Sequence, residues 1–455
     1  MDEIELEKQL DNFDKNIRIE SLKLIRKKVD NNEIKIKPNS GFVNLHAHSF
    51  FSYNAYGYSP SHIAWLAFKN GLEAIGIIDF DVLDGMEEIL EAGKILGLRT
   101  SAGLETRVFI KEYEDKIINS PQEPGVFYFV GMGFYKNPRF GSYEYNTLNK
   151  LRNIAKNRNL SIVNKINEYI PEISIDYEKD VLILTPSGNA TERHIIVSID
   201  RKIRELLKND TDKLVLFWAE KLKLDKNKIL TVINSSAELQ ELLRLKLMKY
   251  GTIGYITPQK GSFPELEEVI NMVKNTDALP TSTWLDGTND GEKNIKKLLT
   301  LLVQKGVVLL NIIPDRNWNI KDTKEKEVKV RNLNEVIKVA RELNLPIIAG
   351  TEMNKYGQKF VDEFNVPELY PYLNDFRNGA FFVYGHTQMG LLFNKGYYSD
   401  WSLKYLDKDL VRKNKFYIEV GKSIVPGKDY SQIKELFQNN ISPDEILKIL
   451  EMSKN

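Results

Sequence analysis

FVNLHAH, residues 42–48, carries a short apolar run into two histidines spaced two apart. In an extended strand that spacing puts both rings on one face. The chain around it shows what kind of strand this is. From residue 41 onward, short apolar runs alternate with longer helical stretches. SPSHIAWLAFKNGL reads as a helix capped by Ser59 or Ser61 with Pro60 in its first turn, LEAIGIIDFD as a strand, and LDGMEEILEAGKILG as a helix. RTSAGLETRVFI and VFYFVGMGF read as further strands. A mostly helical block follows, broken by a strand-like VLILTPSG. The alternation then resumes with ALPTSTWLDG, a helix over 291–304, GVVLLNIIPD, the helix NLNEVIKVARELN, and LPIIAGTEMN, after which GAFFVYGHTQMG offers one more strand-like run. Strands alternating with helices imply parallel β/α units, and this many predict an α/β barrel with a helical insertion. The expected divisions are a helical N-terminal extension over 1–40, a barrel over 41–140 and 276–455, and an insertion over 141–275.

Composition bounds the function. The 455 residues are 42% hydrophobic, enough for a sizeable core. A net charge of +1 argues against a broad footprint for a nucleic-acid polymer or an anionic membrane, while leaving room for a local pocket for a small anion. There is no cysteine, so thiol nucleophiles, thiolate metal sites and disulfides are excluded. A transition-metal site must draw on His46, His48, His62, His194 and His386. His62, near the start of a polar-faced helix, is expected at the surface, and the lysine-rich stretch 321–330 is expected to be a solvated loop. The opening MDEIELEKQLDNFDKN is charged where a signal peptide needs an apolar core, and no apolar run approaches spanning length, so a cytoplasmic location is expected.

Five segments place polar residues two apart at the C-terminal end of an apolar run: His46/His48, Asp79/Asp81, Glu105/Arg107, Trp284/Asp286 and Glu352/Asn354. If these are barrel strands, all five pairs converge on the mouth, where such barrels carry their active sites. Two imidazoles on one face with carboxylates at later strand ends suit Zn, Mn or Fe. Glu105 is either a ligand or the salt-bridge partner of Arg107. Arg107 either holds a phosphate or carboxylate or orients Glu105. Asp79 and Asp81 either orient the histidines or act as general base, and Asp81 has helix capping as a competing role.

These residues resemble the polymerase-and-histidinol-phosphatase (PHP) domain family. HAH in VNLHAHSFFS is similar to its opening motif. GLEAIGIIDFD resembles the strand ending in Thr-Asp-His, AGLE the Gly-Ile-Glu strand, LPTSTW the strand ending in Ala-His-Pro, and LPIIAGTEMN the strand ending in Gly-Ser-Asp-x-His. ATERHII resembles an Arg-Pro-His-Ile-Ala segment of the inserted region in the subgroup that hydrolyses nucleotide phosphate esters, with Arg193 and His194 one residue out of that register. The resemblance implies a distorted (β/α)₇ TIM-like barrel with up to three divalent metals at its mouth. Its first metal position corresponds to His46, His48, Glu105 and Glu352 here. The second falls on Tyr128 (or Phe127) and Trp284, the third on Asn54, Phe80 and Asn354, none of them the family's ligands. The implied protein is a one-ion relative in which Trp284 forms an aromatic wall of the pocket.

The leading expectation is therefore a metal-dependent hydrolase acting on a small anionic substrate, first of all a phosphate monoester or nucleotide-like compound. Arg107, Arg193, His194, Trp284, Asp286 and Asn354 would contact substrate; Asp79, Asp81 and His386 would handle protons. A barrel that kept binding and lost catalysis is the competing reading, and a metal-assisted lyase or amide hydrolase is a third.

Overall fold

The computed structural model describes residues 2–259, 261–437 and 440–453. Seven apolar runs become the strands β1 (Val43–Ala47), β2 (Ala74–Phe80), β3 (Arg99–Phe109), β4 (Val126–Met132), β5 (Leu279–Trp284), β6 (Leu309–Ile312) and β7 (Ile347–Ala349). They form one sheet in chain order. A parallel bridge between Ala47 and Glu352 brings its first and last strands together, so the sheet is a nearly closed barrel. Nearly every strand residue is buried, as expected when helices cover the outside and side chains fill the inside.

The strict parallel alternation predicted from the sequence fails at β4, which pairs antiparallel with both β3 and β5. The reason lies in the connection. Between Phe109 and Val126 the chain has only a single turn of helix, Lys111–Tyr113, too little for the crossover that a parallel neighbour requires. The reversal sets Tyr128, near the start of β4, opposite Arg107 on the mouth side of Glu105. It also sends Met132 toward the far end of the barrel, beside Leu279 at the start of β5.

Two strand-like runs are helical. GAFFVYGHTQMG lies inside the helix Leu373–Phe393, whose Phe376, Ala380, Phe382, Val383, His386 and Met389 are all buried. A helix buried on most sides shows no 3.6-residue polar interval, so its sequence reads like a buried strand. Gly379 marks the tight fit: a Cβ there would stand 1.9 Å from the Ile347 carbonyl oxygen. VLILTPSG begins in helical turns at Tyr177–Val181 and Leu182–Leu184, burying Val181 and exposing Ile183. The lysine-rich stretch is likewise no loop but the first half of the helix Thr323–Glu342. Asp322 caps it by accepting from the Glu325 N–H at 2.8 Å.

The chain divides into two compact units, one of residues 1–49, 54–148 and 264–455, the other of 50–53 and 149–263. The second has its own apolar core, with Ile166, Ile195, Ile199, Trp218, Leu239 and Leu243 at its centre. In the first, the N-terminal helices Glu3–Gln9 and Lys15–Asp30 dock on the helices that follow β1 and β2. His62 takes part in that docking and is buried, contrary to expectation: its Nδ1 lies 2.7 Å from Asp11 Oδ2. Among the described residues no helix is long and apolar enough to cross a membrane.

Candidate metal centre

The centre begins where β1 meets the end of β7. The Glu352 N–H donates to the His46 carbonyl at 2.8 Å, and the His48 N–H donates to the Glu352 carbonyl at 2.7 Å. This close approach explains the glycine in LPIIAGTEMN: a Cβ on Gly350 would stand 2.4 Å from the His46 Cβ. The register of β1 against β2 shifts between Asn44 and Ala47, an irregularity of the kind that re-aims a side chain beside a site. Asp81 (φ 61°) and Glu352 (φ 63°) both hold left-handed backbone conformations. Such strain persists where surrounding structure imposes it, most often at functional sites.

His46, His48 and Glu105 each offer one ligand atom, and the three lie within 4.8 Å of one another. Glu105 Oε2 is 3.9 Å from His46 Nε2 and 3.6 Å from His48 Nε2. Glu105 does not end its strand, which runs four residues further to Phe109, but it sits opposite Phe80 at the end of β2. The donor set fits a divalent ion. His46 Nε2 is buried and has no hydrogen-bond partner among the described residues. Leaving a buried polar atom unsatisfied costs about 1–3 kcal/mol, which an ion at this point would offset. Burial holds the His46 ring down at about 4, so it is neutral and able to ligate at pH 7. Burial, reinforced by the Glu352 carboxylate, raises Glu105 well above the usual carboxylate range, and a cation held there would favour its charged form. The His48 ring stacks on Phe80 at 4.2 Å, and its carbonyl accepts from Asn54 Nδ2 at 2.8 Å.

Glu352 is beside this group rather than in it. Both its oxygens lie 2.9 Å from Arg316 Nη2, on the short helix Asp315–Trp318 after β6. Burial pushes the Glu352 carboxyl up, but the Arg316 guanidinium outweighs it and holds the group at about 2. Arg316 was not expected from the sequence, although an arginine two residues past the proline in NIIPDR stands where a strand end reaches the mouth.

Asn311, in the middle of β6, was also missed. Its amide lies 2.9 Å from His46 Nδ1, and its Oδ1 has no partner among the described residues. With the amide turned so that the oxygen faces Nδ1, the ring carries its proton there and presents the Nε2 lone pair to the ion. A lone polar residue inside the run VVLLNII is the signal that could have found it. Asn311→Leu is accordingly expected to weaken binding of a divalent ion about 10- to 100-fold, with Asn311→Asp much closer to wild type, in titration calorimetry. Equal affinity for all three proteins would remove Asn311 from the site.

Of the other residues singled out, Asp79 accepts from the Ser49 N–H at 2.8 Å and the Ser49 hydroxyl at 2.6 Å, fixing the residue after His48. Asp81 accepts from the Thr106 hydroxyl at 2.5 Å, and its N–H donates to the Glu105 carbonyl at 2.9 Å. It does not cap a helix, since Met86–Leu96 starts at Gly85 without a side-chain cap. Arg107 donates to Glu123 at 3.1 Å. Trp284 is buried at the end of β5. Asp286 binds the Thr288 hydroxyl at 2.5 Å and Lys329 at 3.1 Å. Asn354 is half-buried just past Glu352.

His386 is not brought to the mouth. Its Nε2 lies 3.1 Å from the Gly133 carbonyl, just beyond the far end of β4, and its Nδ1 accepts from the Tyr397 N–H at 2.9 Å. Both nitrogens thus serve the backbone. Arg193 and His194 belong to the second unit. There Arg193 pairs with Glu241 at 3.0 Å, and the His194 Nδ1 accepts from the Thr191 N–H at 3.0 Å, capping the helix Glu192–Leu206.

No family model and no curated relative matches the sequence. Among the solved structures that match it in fold are two that it covers over nearly their whole length. One is described as a metal-dependent phosphoesterase from Bifidobacterium adolescentis, at a TM-score of 0.47 and 16% identity over 74% of this chain and 97% of that one. The other is an amidohydrolase from Chromobacterium violaceum with bound sulfate and no metal, at a TM-score of 0.47 and 13% identity over 73% of this chain and 95% of that one.

Proposed function

We propose that the protein is a metal-dependent hydrolase of a small anionic substrate, a phosphate monoester or nucleotide-like compound first of all, and a relative of the PHP family with a reduced metal site. One observation carries the reading: the buried, unpartnered Nε2 of His46 converges with His48 and Glu105 on a common point at the mouth of the barrel. A divalent ion held there supplies Lewis-acid polarisation of the substrate and activation of water. The chain's own groups do the rest. Asp79 holds the Ser49 N–H and Asn54 holds the His48 carbonyl, while Trp284, buried at the end of β5, is the aromatic side chain assigned here to the wall of the pocket. Asp81, tied to Thr106, is the carboxylate at the mouth placed to accept a proton. Hydrolysis of a panel of phosphate monoesters should stop on complete chelation and return with Zn, Mn or Fe. Turnover that survives chelation rules the proposal out.

The second reading, a binding or regulatory protein that has lost catalysis, draws on the pairing of Glu352 with Arg316, which leaves three ligating residues rather than four. Protein purified without stoichiometric metal, but melting at higher temperature with a phosphate ester than without, would favour it.

A further inference from the structure

Tyr56 and Tyr356 stand in the two loops that leave the barrel beside the candidate metal centre. The first loop follows β1, which bears His46, and the second follows β7 and bears Glu352. Because β1 and the chain at Glu352 run parallel, both loops open at the same end of the barrel. The two ring centroids are 5.5 Å apart at a 44° tilt. Tyr56 in turn stacks on Tyr58 at 5.5 Å and 17°, and Tyr58 packs on the buried His62 at 4.2 Å. The row opens outward: Tyr58 is half-buried, Tyr56 is 37% exposed and Tyr356 is 61% exposed. Among the described residues Tyr356 has Tyr56 as its one ring neighbour, and most of its surface meets solvent.

One exposed tyrosine on a loose loop would be ordinary, but these loops are fixed. Asn54 Oδ1 accepts from the N–H groups of Tyr56 at 2.8 Å and Tyr58 at 3.2 Å, while its Nδ2 donates to the His48 carbonyl. The Ala55 N–H donates to the Met353 carbonyl at 2.9 Å, and the Gly357 N–H donates to the Tyr56 hydroxyl at 3.1 Å. The two loops are thus fastened to each other. Gln358 Nε2 lies 3.4 Å from Glu352 Oε2, which folds the second loop back on its own start. Gly57 (φ 78°) and Gly357 (φ 88°) turn the chain next to each tyrosine, and a Cβ on either would meet nothing within 4 Å. The rings are therefore held in place before any ligand arrives, with open space beside them, on loops anchored at His48 and Glu352. Such anchoring lowers the ordering cost of binding.

A fixed, exposed aromatic face suits a planar ring, because stacking needs only a second π-face and no hydrogen-bond partner. Two ring faces are far smaller than the roughly 800 Å² per partner of a protein interface, so a single small ligand fits them better. We infer that Tyr356, backed by Tyr56, is a stacking platform for a planar aromatic group of the substrate, on the part that extends from the metal position over the rim. The substrate class is then a phosphate ester whose alcohol side carries an aromatic ring, either a nucleobase or a simple aryl group. The inference rests on the proposed hydrolase reading for the phosphate ester but not for the ring, because the tyrosine row is present whether or not a metal binds.

Calorimetry on the full chain with adenosine monophosphate, phenyl phosphate and glycerol phosphate tests it. The wild type is expected to bind at least one of the two aromatic esters at least about fivefold tighter than glycerol phosphate, and the tighter of the two names the ring. Tyr356→Ala should remove that preference. Tyr356→Phe, which keeps the ring and loses the hydroxyl, should retain it. Circular dichroism establishes that each variant is folded. Equal affinity of the wild type for all three esters, binding of none of them at millimolar concentration, or a preference that survives in folded Tyr356→Ala overturns the platform. Adenosine and phenol, which carry a ring and no phosphate, separate this claim from the hydrolase reading. Saturation-transfer NMR with the double variant His46→Ala/His48→Ala should show contact to their ring protons that is lost when Tyr356→Ala is added. That result supports the platform even if the wild type hydrolyses no ester, and no contact to either ring in wild type and double variant alike overturns it.

Discussion

His46→Ala is expected to abolish stoichiometric metal binding: elemental analysis of the untagged wild-type protein gives one divalent ion per chain, and the variant gives almost none. The size of the effect follows from the shape of the site. Among the described residues, only His46, His48 and Glu105 form such a group, with ligand atoms within 4.8 Å of one another. Two carboxylate or imidazole ligands seldom retain a transition ion against water, so losing one of three removes the site rather than weakening it. The same experiment has a stability readout. An ion that binds the folded chain alone, present at about 100 times its dissociation constant, contributes about 2.7 kcal/mol to folding. Wild-type protein should therefore melt several degrees higher with the ion than without, and His46→Ala should show no such shift. Uptake should also be coupled to proton release, because burial favours the protonated form of the Glu105 carboxyl and a cation favours the charged one. Calorimetry in buffers of different ionisation enthalpy detects that proton. Three ions per chain would mean that the ligand assignment is incomplete, and one ion per chain in the His46→Ala protein would place the site elsewhere.

How much of this was legible beforehand depends on the kind of residue. His46, His48 and Glu105 could be read because their chemistry is rare at the ends of apolar runs, and because alternation along a strand fixes which side chains share a face. The strands themselves were legible for the same reason, being short apolar runs punctuated by polar residues. Arg316 and Asn311 were not. Arginine is common on surfaces and asparagine in turns, and only the three-dimensional neighbour, Glu352 in one case and His46 in the other, gives each its meaning. Glu352 was placed correctly in the chain, yet its carboxylate turned to Arg316 instead of joining the ligands. No spacing rule foresees that choice, because it depends on which cation folds closest. His386 misled for a different reason. A helix buried on nearly every side has the composition of a strand, and a histidine inside it looks like a strand-end residue until both nitrogens are seen bonded to backbone. The reversal of β4 was hidden because a periodicity reads strands without reading their direction. It shows only in the length of the connection before it.

The N-terminal helices carry the largest single prediction about stability. Arg18 and Glu88 form an ion pair in which both side chains are 2% exposed. Arg18 Nε donates to Glu88 Oε1 at 2.9 Å, Nη2 donates to Oε2, and Nη1 donates to the Asn12 carbonyl at 2.6 Å. The Ser61 N–H and hydroxyl complete the carboxylate at 3.1 and 2.8 Å. The pair thus fastens the helix Lys15–Asp30 to the first turns of the two helices that follow β1 and β2, the strands bearing His46 and Asp79. Breaking such a pair from one side leaves a buried charge with no counter-ion, at a cost of about 3–5 kcal/mol. Arg18→Met should destabilise the protein by that amount in urea denaturation. The double variant Arg18→Met/Glu88→Leu should recover most of the loss, since an apolar pair of similar volume avoids the desolvation of both charges. Limited proteolysis should cut first near residues 10–14 in the single variant, where the Asn12 carbonyl loses its donor. Metal affinity of the folded fraction should stay at the wild-type value, because no atom of the pair touches the ligand set. If Arg18→Met costs less than about 1 kcal/mol, the pair behaves as a solvated surface bridge, and the N-terminal helices are held instead by contacts such as Trp65 Nε1 on Glu7 Oε1 at 2.7 Å and His62 on Asp11.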